Sequence, residues 1–87
     1  MNSSPRDTTL AAAVAGEVRA EMARQRLTAV QVADAAEMTK GYLHRRLAEQ
    51  SPFTLADIER LARVLGVDPA HFLAPVPAAG DMIGAGR

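Results

Sequence analysis

Five candidate helix caps, each followed by apolar residues at helical spacing, divide this chain into short helices joined by tight turns. Thr8 or Thr9 opens the first segment, Thr28 the second, Thr39 the third, Thr54 the fourth and Asp68 the last. A cap oxygen accepts a bond from a backbone N–H that the first helical turn leaves without a partner, so each of these residues marks a start.

Between the caps the apolar positions follow helical periodicity. Leu10, Val14, Val18 and Met22 recur every four residues and predict a helix from about Thr9 to Gln25, with Gly16 costing about 1 kcal/mol relative to Ala in its interior. Thr28-Ala29-Val30-Gln31 fits a capping box, so a short second helix runs through Ala36 with Val32 and Ala33 facing the core. Glu37-Met38-Thr39 leaves room only for a tight turn before a third helix, about Lys40 to Ala48, with Leu43 and Leu47 as its buried pair. Ser51-Pro52-Phe53 breaks the pattern. After Thr54, the residues Leu55, Ile58, Leu61, Ala62 and Leu65 form an amphipathic fourth helix that ends at Gly66. Asp68-Pro69 starts a final short helix holding Phe72 and Leu73. The expectation is an all-α, compact five-helix domain over residues 9–73. A polar, Pro-containing arm over residues 1–8 precedes it, and a flexible tail rich in Pro and Gly over residues 74–87 follows.

Composition supports this and removes several function classes. The chain has 87 residues, room for one domain, and is 48% hydrophobic but only 3% aromatic, which suits packed helices better than a sheet. It has no cysteine, so a disulfide framework, a thiolate metal site and a Cys nucleophile are excluded, and a reducing, cytoplasmic setting is expected. No apolar run approaches the roughly 18 residues that cross a bilayer, so neither a signal peptide nor a membrane anchor is expected. The two histidines fall in separate helices and suggest no metal site. Spacing supports no nucleophile–base pair, so no enzyme activity, cofactor or small-molecule substrate is expected. His71 reads as a partly exposed helix residue.

Ten Lys plus Arg balance ten Asp plus Glu, so distribution must carry any argument for an anionic partner. From Met38 to Ala48 the chain holds Lys40, His44, Arg45 and Arg46 and no acid. On a wheel of about 100° per residue with Leu43 at zero, Gly41 falls near 160° and Arg45 near 200°, pointing away from the core. Lys40 stands in the first turn, where its long side chain extends past the helix end. A capped short helix, a tight turn and a second helix held by one inward leucine make a helix-turn-helix.

Leu27-Thr28, Val32-Ala33, Thr39, Leu43, the restart from Pro52 to Leu55, and Leu61-Ala62-Arg63-Val64-Leu65-Gly66-Val67 together resemble the phage repressor and Cro-like (XRE-type) helix-turn-helix family. The similarity runs without a gap from about Ala15 to Leu73. It implies a lambda-repressor-like domain that binds double-stranded DNA, with the third helix reading bases through Lys40, Gly41, Tyr42, His44 and Arg45. His44 could instead be a plain surface histidine, and Tyr42 could pack on the domain edge. The resemblance also implies phosphate contacts from the start of the second helix and the loop after the third, here Thr28, Thr39, Arg46, Gln50, Ser51 and Thr54. Four residues depart from the family pattern. Glu37 and Glu49 stand where glycine is frequent, Ala29 replaces a frequent glutamine, and Arg46 occupies a position that is often aliphatic, where a partly exposed arginine on the phosphate side is expected. The implied function is a sequence-specific transcriptional regulator, bacterial or phage, acting as a repressor and as a homodimer. The alternative is a protein-interaction module, an antitoxin or adaptor, on the same fold.

Overall fold

A computed structural model of the chain describes residues 9–73. The expected arm and tail, residues 1–8 and 74–87, lie outside them. Four α-helices follow in order: α1 (Leu10–Gln25), α2 (Ala29–Ala36), α3 (Lys40–Leu47) and α4 (Leu55–Leu65), then a 3₁₀ turn, Pro69–Phe72. No strand occurs among the described residues.

Each α-helix begins at a threonine that accepts from the backbone three residues on. Thr9 takes the N–H of Ala12 at 3.1 Å, Thr28 that of Gln31 at 3.1 Å, Thr39 that of Tyr42 at 3.0 Å and Thr54 that of Asp57 at 3.0 Å. Thr28 and Thr54 belong to full capping boxes, closed by Gln31 and Asp57. The opposite ends carry strain. Arg26, Glu37 and Glu49 adopt left-handed backbone at φ 57°, 59° and 65°, where a side chain crowds its own carbonyl. Gly66, at φ 73°, ends α4 without that cost.

The expected fifth α-helix is a single 3₁₀ turn. His71 N–H bonds to Asp68 O at 2.8 Å and Leu73 N–H to Ala70 O at 3.0 Å, the three-residue pattern that short segments adopt. Its purpose in packing is clear from Phe72, which is fully buried. Around Phe72 and the equally buried Leu43 and Leu61 lie Val14, Val18 and Met22 of α1, Val32, Ala33 and Ala36 of α2, and Ile58, Ala62 and Leu65 of α4. Met38, Leu47 and Phe53 pack on this cluster from its edge.

Two leucines expected on apolar faces, Leu10 and Leu55, stand outside, as does Leu73. Leu55 is 80% exposed, because it occupies the first position of α4, before that helix meets its neighbours. Leu10 opens α1 in the same way, and Leu73 follows the 3₁₀ turn; both are exposed. With Val14, Phe53 and Ile58 they line a shallow apolar groove of about 180 Å³.

One buried carboxylate ties the last turn to the first helix. Glu21, 8% exposed, accepts from Arg24 Nη2 at 2.8 Å and from Gln25 Nε2 at 2.9 Å, and lies 3.1 Å from His71 Nε2. Gln25 also donates to the carbonyl of Leu65. The bonds from Gln25 and then Arg24 favour the ionised form and hold the Glu21 carboxyl below its ordinary value of 4.5, against the opposing pull of burial.

Two outcomes follow. A group whose folded pKa is depressed contributes stability that is present above its unfolded pKa and lost as pH falls through the folded one. Glu21→Gln therefore lowers the urea midpoint at pH 7, and the gap to the parent chain closes as pH drops below 4.5; a gap that stays constant down to pH 3 contradicts this account. Gly16 sits inside α1, where an added Cβ meets nothing nearer than Arg19 Nη2 at 3.6 Å. Gly16→Ala should raise unfolding free energy by about 1 kcal/mol, read from the same urea titration.

Candidate nucleic-acid interface

The turn between α2 and α3 places the third helix on the outside of the fold. Glu37 breaks α2 by turning left-handed, its N–H still bonded to the carbonyls of Ala33 and Asp34. Met38 drops onto the core and Thr39 caps α3. Leu43 of α3 is fully buried and Tyr42, Arg46 and Leu47 are partly so, so one side of the helix rests on the domain and the other is left free.

Lys40, Gly41, His44 and Arg45 are exposed on that free surface. Lys40 and Arg45 present long cationic donors, and no acid lies within α3. Gly41 is used by its neighbour: a Cβ there would stand 3.4 Å from Arg45 Nη1, so the Arg45 guanidinium lies over the bare backbone one turn earlier.

Two of the expected contact residues are turned elsewhere. Arg46 is not the exposed phosphate ligand that its sequence position suggested. Its side chain is 17% exposed and its Nε lies 3.8 Å from Asp57 Oδ2, while the guanidinium stacks 3.6 Å above the Tyr42 ring. A cation one turn from an aromatic ring, beside a buried carboxylate, is held inward by both. Tyr42 likewise packs at the edge, its hydroxyl donating to Asp57 Oδ1 at 3.0 Å and Oδ2 at 2.9 Å. It is half-buried.

The remaining polar residues surround α3. Thr28, Thr39 and Thr54 are exposed cap residues, Gln50 is exposed and Ser51 is half-buried. The Thr28 hydroxyl is used twice, accepting from Gln31 N–H and donating to Gln31 Oε1 at 3.3 Å. Thr39, Tyr42 and Thr54 share a groove of about 390 Å³ with Glu37, Asp57 and Arg60. Gln50 and Ser51 line another of about 180 Å³, with Arg46 and Thr9. The caps of α3 and α4 therefore open into one groove, while the loop after α3 opens into a separate one.

Three residues that shape this surface were not singled out from sequence. Arg19 of α1 donates to the carbonyl of Leu47, the last residue of α3, and pairs with Glu49 at 3.3 Å. Asp57 receives Tyr42 and Arg46, and Glu21 fixes the 3₁₀ turn. Thr54-x-x-Asp57 was legible as a capping box with the shorter acid, and Tyr42 and Arg46 as a stacked pair at helical spacing. The spacing of Glu21 to Arg24 and Gln25 is a local helical pattern, but no local pattern marked Arg19 or the approach of His71 to Glu21, whose partners are remote in sequence.

Among the described residues, no group of three His, Cys, Asp or Glu side chains could hold a metal ion, and no helix is long and apolar enough to cross a membrane. No curated protein and no solved structure matches the chain. The family model described as "Helix-turn-helix domain" matches residues 13–73, which takes in all of α2, α3, α4 and the 3₁₀ turn. The chain belongs to the helix-turn-helix domain family.

Proposed function

We propose that this chain is a sequence-specific DNA-binding transcriptional regulator, acting as a repressor by occupying promoter DNA and reading the major groove with α3. The observation that carries the proposal is the exposure of Lys40, His44 and Arg45 on the free side of α3, whose one fully buried residue is Leu43. A major groove admits one α-helix, and arginine or lysine can donate to guanine O6 and N7. Gly41 lets the helix come close to base edges. Thr28 at the start of α2, the caps Thr39 and Thr54, and Gln50 and Ser51 after α3 offer polar groups suited to phosphate oxygens.

So short a reading surface needs duplication. A homodimer on two half-sites about 34 Å apart supplies it, and the apolar groove of Leu10, Leu55 and Leu73 offers a surface for the second copy. The same groove favours the second reading, a protein-interaction module of the antitoxin or adaptor kind, in which a different protein takes that place.

Selection of bound sites from a random duplex pool separates these readings. The parent chain should enrich a palindromic site, and Arg45→Ala should weaken binding to it by about 1 to 3 kcal/mol. An interaction module enriches no duplex, and Arg45→Ala leaves its partner capture intact. The dimer is checked by sedimentation equilibrium: Leu55→Asp should convert a dimer to a monomer with unchanged helix content, and an already monomeric parent chain refutes the interface.

A further inference from the structure

We infer that Asp57, which lies on α4, is a positioning residue for base reading: it fixes the rotation of α3 by holding Tyr42 and Arg46 together. The inference rests on the DNA-reading role proposed above for α3.

The need for such a device follows from how α3 is seated. The wholly buried Leu43 and the partly buried Leu47, one turn apart on one face, fix the distance of the helix from the core but lie along one line and resist rocking about the helix axis only weakly. A turn of about 10° moves atoms at the side-chain radius of roughly 6 Å by about 1 Å. Hydrogen bonds to base edges tolerate only a few tenths of an ångström around 2.9 Å, so rocking of that size separates a discriminating helix from one that merely adheres.

The Asp57 cluster opposes this motion. The carboxylate is 6% exposed and is fixed to its own helix by two capping bonds, accepting from Thr54 N–H at 2.9 Å while Thr54 accepts from its N–H. It therefore acts as a rigid post. Tyr42 and Arg46 stand one turn apart on the same flank of α3. The first donates to Asp57, and the second stacks on Tyr42 with its Nε 3.8 Å from the carboxylate. That Nε is buried and makes no hydrogen bond, so its tie to Asp57 is coulombic and weakens as α3 turns away. Rotation would also leave a buried carboxylate with less compensation, which is costly. Arg19 holds the far end of α3 through the carbonyl of Leu47, but a bond at the helix terminus resists rotation less than two side chains along its flank.

The test uses the duplex enriched by the parent chain and a scrambled duplex, at a temperature where circular dichroism shows every variant folded. Asp57→Asn preserves side-chain shape and can still cap Thr54, while Tyr42→Phe keeps the ring beneath Arg46. Each should reduce the ratio of affinities for the two duplexes roughly tenfold, the double variant no further than the worse single one. Binding to the scrambled duplex should change by less than about twofold, because the cations remain. Hydrogen exchange on the free protein should quicken at residues 40–47 in Tyr42→Phe, a readout that stands even if Asp57→Asn does not fold. A lowered melting temperature with an unchanged ratio overturns the inference by showing a role in stability alone. A loss in Tyr42→Phe without loss in Asp57→Asn, or without faster exchange, overturns it by showing that Tyr42 touches DNA itself. If the parent chain enriches no duplex, the DNA-reading proposal fails, and this one with it.

Discussion

The burial of Leu43 sets the terms on which α3 exists. Eight residues are too few for a helix to persist alone in water, where about 12 to 15 are needed even for favourable sequences. α3 also contains Gly41, among the poorest helix formers. Its order is borrowed from the core through Leu43 and the edge contact of Leu47, from the Thr39 cap at its start and from Arg19 at its last carbonyl. A larger apolar contact would hold it more firmly but would turn the cationic face inward. The seating of α3 balances exposure against anchorage, and its polar flank contacts make that balance tenable.

The left-handed caps show the same compromise on the backbone. Glu37 ends α2 and Glu49 follows α3, each at a positive φ that glycine would reach more cheaply. The Glu49 side chain is used there, pairing with Arg19, though both groups are nearly half exposed and such a pair contributes little by itself. Its geometric effect is larger, because it holds Arg19 beside the Leu47 carbonyl. For Arg26 and Glu37 no side-chain partner among the described residues offsets the conformational cost.

Much of this was readable from residue order because it is local. Thr28, Thr39 and Thr54 each cap with a donor three residues away, so the starts of α2, α3 and α4 follow from short-range rules. Leu43 and Arg45 separate correctly on a helical wheel for the same reason. Leu55 did not, because periodicity assigns a face without saying whether a neighbour reaches the first turn. The 3₁₀ turn was mistaken for an α-helix because Asp68-Pro69 announces a start and carries no information on length. Arg46 was misplaced because its surroundings depend on Asp57, eleven residues away on another helix. Its aliphatic-like position in the family pattern was the better guide than its charge.

A net charge of zero says little about an anionic partner until the charges are placed, because close pairs cancel locally and the remaining groups act from where they stand. Glu21 is enclosed by Arg24, Gln25 and His71, and Asp57 by Tyr42, Thr54 and Arg46. Glu49 faces Arg19. Each of these acids is matched at short range by one arginine, Arg24, Arg46 or Arg19, so every pairing withdraws a cation together with an acid and position decides what a ligand meets. Over a screening length of about 8 Å at physiological salt, an approaching polyanion responds to the nearest uncompensated groups rather than to the total. On α3 itself those groups are Lys40 and Arg45, while Glu37 and Arg60 stand at the groove beside it. The buried Asp57 thus helps hold the helix in place while its own charge is kept away from the surface α3 presents.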